Sequence, residues 1–365
     1  MSIQWCAVAS RHSLTHTLPP SHRPFSLSLA PQEAWMVSTI KANVSKPQKY
    51  KTWGFNFIFW SGYNYKKFTF QHDEDDKEMI STMMANHDRI FCSQKRVYEL
   101  CGIPIREDMK TGKPVIIFAF GLSGSGKTYT TFGLDKDDNP QSWFQMNGPD
   151  DPSAGDQWGL FPRLAWDFYE EKKLNKGTTI QLVFMQNVVN DVFDLLGGGT
   201  TSVSSMRTDK GGFCFHPGFM NAPCPEFKDL CEIFRAAASR KQIAPTQFNP
   251  QSTRGHVVVV FIVVQPDGTE GRFYVCDLAG AEPAAEVAYY DYKFDADGEV
   301  VSKRPRPGPD GAKKTKMLQS QGKKINLSLG ELQSVFDKMK KQIKKKQKIR
   351  IIGVSTWIMK FLKVR

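Results

Sequence analysis

Eight consecutive residues, Gly121, Leu122, Ser123, Gly124, Ser125, Gly126, Lys127 and Thr128, have the spacing G-x-x-x-x-G-K-T and follow the apolar run Val115-Ile116-Ile117-Phe118-Ala119-Phe120. In that spacing the glycines let successive backbone N–H groups turn inward around phosphate oxygens. Lys127 then stands where an ammonium reaches the β and γ phosphates, and Thr128 where a hydroxyl serves Mg²⁺. Tyr129-Thr130-Thr131-Phe132 is expected to open a helix whose positive end also favours an anion. The bland alternative, a glycine-rich turn that happens to contain Lys-Thr, is opposed by the strand-like run in front of it.

Two further segments carry groups of matching chemistry. Asp277-Leu278-Ala279-Gly280-Ala281-Glu282 follows a predicted strand over residues 272–276. An acidic residue at a strand's C-terminal end beside a phosphate loop suits a Mg²⁺ contact, and the glycine three residues on can offer its N–H to a γ-phosphate. Alone, D-x-x-G also describes many ordinary turns. Asn249-Pro250-Gln251-Ser252-Thr253-Arg254-Gly255-His256 gathers hydroxyls, an arginine and a histidine before a second predicted strand, residues 257–264. Taken alone, that segment reads as a polar turn entering a strand.

Positioning these segments requires a sheet. From about residue 40 the pattern alternates strand and helix, which predicts an α/β fold. Strands are expected over 55–60, 67–70, 115–120, 179–185, 257–264 and 272–276, where β-branched and aromatic residues concentrate. Helices are expected over 93–101, 161–173, a stretch ending at Asp191-Val192-Phe193-Asp194-Leu195-Leu196, 227–240 and 325–346. The last shows Ile325, Leu329, Leu332, Val335, Phe336 and Met339 at three- and four-residue steps. Residues 135–156 and 289–316 are rich in charge, Pro and Gly and are expected to be loops.

The chain of 365 residues with 40% hydrophobic content can build a sizeable core. No apolar run has the length of a membrane-spanning helix. Seven cysteines without a C-x-x-C pair argue for reduced thiols rather than zinc. Residues 1–38 hold one acidic residue, Glu33, and many Ser, His and Pro, and read as a flexible leader. The formal charge of +12 collects late, in Lys303, Arg304, Arg306, Lys313, Lys314 and Lys316, then in Lys338, Lys340, Lys341, Lys344, Lys345, Lys346, Lys348 and Arg350. Such runs are often only solvated faces; nucleic acid, anionic lipid and an acidic protein surface are the functional alternatives.

Taken together, the three motifs resemble the kinesin motor family. Residues 118–130 are similar to its phosphate loop, 249–256 to its first switch (NxxSSRSH) and 277–282 to its second (DLAGSE). Weaker echoes follow in order: residues 94–99, 159–163, 186–196, 246–249, and Ile325-Asn326-Leu327-Ser328-Leu329 for INKSL. The resemblance implies a P-loop NTPase fold, α/β with a central mostly parallel or mixed sheet flanked by helices on both faces, and a motor domain over 39–365. It implies ATP and Mg²⁺ as cofactors, with residues 121–129 and Ser252 binding nucleotide. Thr128, Ser252 and Asp277 would serve the metal. In catalysis Lys127 would hold phosphate, Thr253 approach the γ-phosphate and the attacking water, and the Gly280 amide sense that phosphate. An Arg254–Glu282 ion pair would close the switches. Tyr129 would lie near the adenine.

Several positions depart from the family pattern. Gly255 replaces a serine, Ala281 replaces a serine, Pro283 follows Glu282, Gln321 stands where a glutamate usually starts the INKSL helix, and only Lys46-Pro47, with Val44, aligns with the adenine-contacting Arg-x-Arg-Pro. No counterpart of the last strand, last helix and neck linker is legible before Arg365, so the domain is expected to be incomplete at its C-terminus. The resemblance makes the partner a microtubule, met through residues 338–350, with no nucleic acid and no membrane partner and a cytoplasmic, cytoskeletal location. The expected activity is a microtubule-stimulated ATPase driving movement. The alternatives are a non-motile, nucleotide-gated tubulin-binding module and a P-loop phosphotransferase.

Overall fold

The computed structural model describes residues 6–9, 26–29, 37–43, 50–54, 57–60, 93–121, 123, 125–133, 142–145, 148–150, 157–208, 214–242, 255–296 and 300–347. The expected strand at 67–70 lies outside them. Two compact units divide the chain, Met1–Ile117 with Gly124–Leu174, and Phe118–Ser123 with Asn175–Arg365.

In the first unit, β1 (Cys6–Ala9) runs parallel to β5 (Phe57–Trp60), and β2 (Ser26–Leu29), β3 (Val37–Asn43) and β4 (Tyr50–Gly54) form an antiparallel sheet. The helix expected at 93–101 is longer. It starts as α1 (Gln94–Val97), capped by Ser93 Oγ accepting from the Arg96 N–H at 3.1 Å, passes through a π turn at Tyr98–Gly102 and continues as α2 (Ile103–Lys110). Pro104 follows the π turn directly, where the regular i→i−4 ladder is already interrupted, so its missing N–H does not end the helix.

The glycine loop leads into α3 (Lys127–Phe132). Part of the segment expected as a surface loop is interior: Trp143 and Phe144 form a short 3-10 turn and are buried. The Trp143 ring lies 6.2 Å from that of Phe161, on α4 (Leu160–Leu174), and the Phe132 ring lies 5.7 Å from Phe161. Aromatic burial outweighs the polar composition around it.

The second unit is built on β7 (Thr179–Val188), β8 (Asp191–Asp194), β9 (Thr200–Ser202), β12 (Ala222–Pro223), β13 (His256–Val264) and β14 (Glu270–Asp277), with β10 (Arg207–Thr208) and β11 (Cys214–Phe215) as a separate pair. The strand order is β6-β14-β13-β7-β8-β9, where β6 is Val115–Ala119, whose last two residues belong to this unit. The sheet is mixed rather than mostly parallel: β14, β13, β7, β8 and β9 pair antiparallel throughout. Helices cover both of its faces. Phe184, opposite Val259, meets Phe234 of α5 (Phe227–Ser239) with ring centroids 5.0 Å apart, whereas His256, of the other parity along β13, meets Ser328 of α6 (Gly308–Lys344). Burial on two sides explains why HVVVVFIVV is a continuous apolar run without alternation.

The segment ending in Asp194-Leu195-Leu196 is a strand and turn, not a helix. Asp194 is buried, and its carboxylate accepts from the N–H groups of Leu196 (2.9 Å) and Met220 (2.8 Å), which locks the chain in a reversal. Nor is 289–316 a loop: β15 (Tyr290–Phe294) and β16 (Val300–Pro305) form a hairpin, and α6 begins at Gly308. Arg306 ties hairpin to helix, donating from Nε to Asp291 at 2.6 Å with its guanidinium 4.8 Å from the Tyr289 ring centre. With 37 residues α6 is roughly 55 Å long.

Candidate functional site

The predicted site residues divide between the two units. In the first, Gly126 has φ +86 and caps α3, a left-handed conformation that glycine adopts without penalty. Lys127 is half-buried and Thr128 exposed at the start of that helix. Tyr129 donates its hydroxyl to Gln157 at 2.8 Å, and its carbonyl accepts from Gln94 at 2.7 Å, which fixes the ring's direction. Ser125 is also described, while Leu122 and Gly124 lie outside the described residues.

In the second unit the chain leaving β14 runs beside the end of β6 and the first residues of the glycine loop. The Leu278 N–H donates to the Ala119 carbonyl (3.1 Å) and the Ala281 N–H to that of Gly121 (3.2 Å). One residue further, the Ser123 N–H donates to Glu282 Oε1 at 2.6 Å. An added Cβ at Gly280 would meet both Glu282 carboxylate oxygens and Ser123 Oγ at 2.3 to 2.6 Å, so a larger residue there would have to displace these two side chains. Gly121, Ser123, Gly280 and Glu282 are thus brought together, with Asp277 at the end of β14. Ser252, Thr253 and Arg254 lie outside the described residues.

The same segment is fastened to α6. Asn326 Nδ2 donates to the Glu282 carbonyl at 2.8 Å, and Gln319 Nε2 lies 3.2 Å from the carbonyls of Ala285 and Val287. Gly322 faces the Ala284 methyl at a distance that leaves little room for a side chain, 3.2 Å to an added Cβ. His256 makes a third link. Its Nδ1 accepts from the Ala279 N–H at 3.3 Å and so carries no proton, and its Nε2–H donates to Ser328 Oγ at 2.8 Å. The Ser328 hydroxyl in turn donates to the Ile325 carbonyl at 2.7 Å. Burial pushes the His256 imidazole down to about 4, which keeps it in this neutral tautomer. His256, Gln319, Asn326 and Ser328 were not distinguished as site residues by sequence; the polar pair in Ile-Asn-Leu-Ser-Leu, set among buried Ile325 and Leu329, was the available signal.

A model of the kinesin motor domain family matches residues 40–296, more than half of the chain. The chain belongs to the kinesin motor domain family. Relatives include the kinesin heavy chain of Syncephalastrum racemosum, 26% identical over 208 residues, which make up 54% of this chain and 20% of that protein. Kinesin-related protein 3 of Dictyostelium discoideum is 26% identical over 247 residues, 63% of this chain and 19% of its own length. The chain thus spans about a fifth of the length of these relatives. Among solved structures, KIF14 with ADP in complex with a microtubule aligns with TM-score 0.61 and 18% identity over 98% of this chain and 85% of that one. A KIF14 dimer in a two-heads-bound state, with AMP-PNP and a microtubule, aligns with TM-score 0.62, likewise at 18% identity, over 98% and 84%. These likenesses establish the kinesin motor fold.

Within that family, the glycine at 255 has a structural cause. A Cβ there would stand 2.2 Å from the Asn187 carbonyl oxygen and 2.9 Å from Val188 Cγ2, so the usual serine has no room beside the end of β7. On α6, Lys338, Lys340, Lys341 and Lys344 are exposed, as are Lys313, Lys316, Lys323 and Lys324 nearer its start and Lys345 and Lys346 in the turn that follows it. Lys348 and Arg350 lie outside the described residues. Among the described residues no helix is long and apolar enough to cross a membrane.

Proposed function

We propose that this chain binds and hydrolyses ATP at the glycine loop and uses the state of the terminal phosphate to control binding to a microtubule through α6. The observation that carries this reading is the double attachment of residues 278–287, to the end of β6 through Leu278 and to the glycine loop through Ala281 and Glu282, and to α6 through Asn326, Gln319 and His256. A segment bonded to both a phosphate-sensing loop and a basic helix is the two-state element that such coupling needs. Lys127 would hold the β and γ phosphates, Thr253 would orient the attacking water, and the Gly280 amide would bind the γ-phosphate. Glu282 and Arg254 would pair when the site closes. Thr128, Ser252 and Asp277 offer oxygen donors that suit Mg²⁺, an exposed hydroxyl and a carboxylate at a strand end being described for the first and last. When bound, Mg²⁺ would offset charge on the β and γ oxygens during in-line attack.

The solved KIF14 neighbours are in complex with a microtubule, and the exposed lysines of α6 give this chain the charge that an acidic filament attracts. This reading places the protein on the cytoskeleton. The test is ATP turnover with and without microtubules at two salt concentrations, alongside co-sedimentation. Stimulation and pelleting should both weaken as the screening length falls below about 10 Å near 0.1 M salt. A Lys127→Ala protein that turned over ATP at the original rate would defeat the reading. Gly255, which leaves the first switch without the serine expected before His256, favours one alternative, a nucleotide-gated tubulin-binding module without motility. Tight pelleting without stimulated turnover would select that one.

A further inference from the structure

Glu282 is nearly fully buried, 4% exposed, and its Oε1 lies 2.6 Å from the Ser123 backbone nitrogen. Its Oε2 is also buried and has no hydrogen-bond partner among the described residues. An added Cβ on Gly280 would fall 2.3 and 2.4 Å from these oxygens and 2.6 Å from Ser123 Oγ. A loop amide, a carboxylate and the backbone of the residue assigned to the terminal phosphate therefore meet at one point. A carboxylate oxygen and a phosphate oxygen ask the same thing of a backbone N–H, a charge-assisted hydrogen bond. Both cannot hold it at once, because two anions at that separation repel strongly.

We propose that Glu282 is a resident anion of the phosphate loop, seated on the Ser123 amide, which a triphosphate must displace before its terminal phosphate engages. This rests on the nucleotide-binding reading above and adds to it a competitor carried by the chain itself. The Leu278–Ala119 and Ala281–Gly121 backbone bonds hold Glu282 beside the loop, so the carboxylate returns as an intramolecular ligand at high effective concentration. The orphaned Oε2 makes the seat exchangeable: a buried carboxylate with one oxygen unsatisfied sits in a poor resting place and yields to a ligand with more acceptors. Gly280, whose amide is assigned to the terminal phosphate, lies against the same carboxylate, so a diphosphate, lacking that group, competes less for this seat. The competitor therefore discriminates between nucleotides by the step that admits them.

The experiment is stopped-flow association of a fluorescent, non-hydrolysable ATP analogue and of fluorescent ADP with the full chain, Glu282→Gln and Glu282→Asp. Aspartate keeps the charge but is one methylene too short to hold the Ser123 amide; glutamine keeps the length and loses the charge. Both variants should speed association of the triphosphate about tenfold, the difference expected for losing one charge-assisted hydrogen bond, and leave ADP association within about twofold of the wild-type rate. Unchanged triphosphate association in both variants overturns the proposal. So does acceleration in the glutamine variant alone, or equal acceleration of both nucleotides, since either result assigns the effect to net charge. Absence of saturable binding by the wild-type chain would instead refute the nucleotide-binding reading itself. Circular dichroism of each variant confirms that a rate is read from folded protein.

Discussion

Lowering the pH should loosen this fold through His256, and the size of the effect follows from its surroundings. In the folded chain its two ring nitrogens are committed to the Ala279 N–H and Ser328 Oγ, and burial pushes its pKa from 6.5 down to about 4. Above pH 6.5 the imidazole is neutral whether the chain is folded or not, so it contributes no pH dependence. As pH falls below 6.5 the unfolded chain takes up a proton that the folded chain refuses. Stability is therefore lost between pH 6.5 and about 4, and the loss levels off once the folded state is protonated too. A difference of about 2.5 units, at 1.36 kcal/mol each, makes this about 3 kcal/mol. Carboxylates titrate in the same window, so the measurement is a difference. Urea unfolding of wild type and His256→Gln should be followed at pH 7.5, 6.5, 5.5 and 4.5. The variant is expected to be less stable at pH 7.5, where it loses the Ser328 and Ala279 bonds, and to show a shallower decline below pH 6.5. Parallel pH profiles for the two proteins would refute the assignment of a buried, neutral imidazole.

Restoring the family serine with Gly255→Ser should destabilise the chain by about 2 kcal/mol or more, because the new Cβ meets the Asn187 carbonyl at 2.2 Å; thermal unfolding gives the sign directly. Trp143→Ala should cost about 3–5 kcal/mol in chemical denaturation, as for a core aromatic, where a surface-loop residue would cost about 0.5 kcal/mol or less. Val189 has φ +61 in the turn between β7 and β8, a strained setting for a β-branched side chain, so Val189→Gly is expected to leave stability unchanged or raise it by up to about 1 kcal/mol; a loss above that size would show the strain to be absent. Asn326→Ala removes the bond to the Glu282 carbonyl and should reduce microtubule stimulation of ATP turnover more than it reduces basal turnover; equal reduction would mean that this bond serves folding alone.

What was legible in the chain follows from where local chemistry is decisive. The glycine loop, the flanking strand and the long valine run of β13 announce themselves, because phosphate geometry and two-sided burial each restrict residue types to a few. The hairpin at Tyr290–Phe294 and Val300–Pro305 did not, since exposed strands carry charge as loops do and the ladder is visible only when its partner is known. The same held for Asp194, whose capping role depends on Met220, 26 residues away. Trp143 was hidden by its polar neighbours. Within the site, the separate motifs were readable but their junction was not: nothing local says that Glu282 folds back on Ser123, or that His256 reaches Ser328 72 residues later.

On the function proposed above, that junction bears on how much a phosphate can move. The residues from 278 to 287 are held to α6 by hydrogen bonds from Asn326 and Gln319 and through His256, each contributing about 1 kcal/mol net. Their sum, about 3–4 kcal/mol, is less than the roughly 5.5 kcal/mol needed to carry a two-state equilibrium from 1:99 to 99:1. A helix held only by these links would thus follow the phosphate-sensing segment partially, and slip on a fraction of cycles. The apolar seam must supply the rest: Ile325, Leu329, Leu332, Val335, Phe336 and Met339 are buried along α6, and Phe336 lies against Phe118 with ring centroids 5.5 Å apart, three residues before Gly121. Packing of that kind has discrete rather than graded alternatives. Phe336→Ala should therefore impair coupling beyond its cost in stability. The chain would still pellet with microtubules and still bind nucleotide, but ADP and the ATP analogue would give pelleting curves that converge. If the two curves stayed as far apart as in wild type, the hydrogen bonds alone would be sufficient and the seam would be only a core.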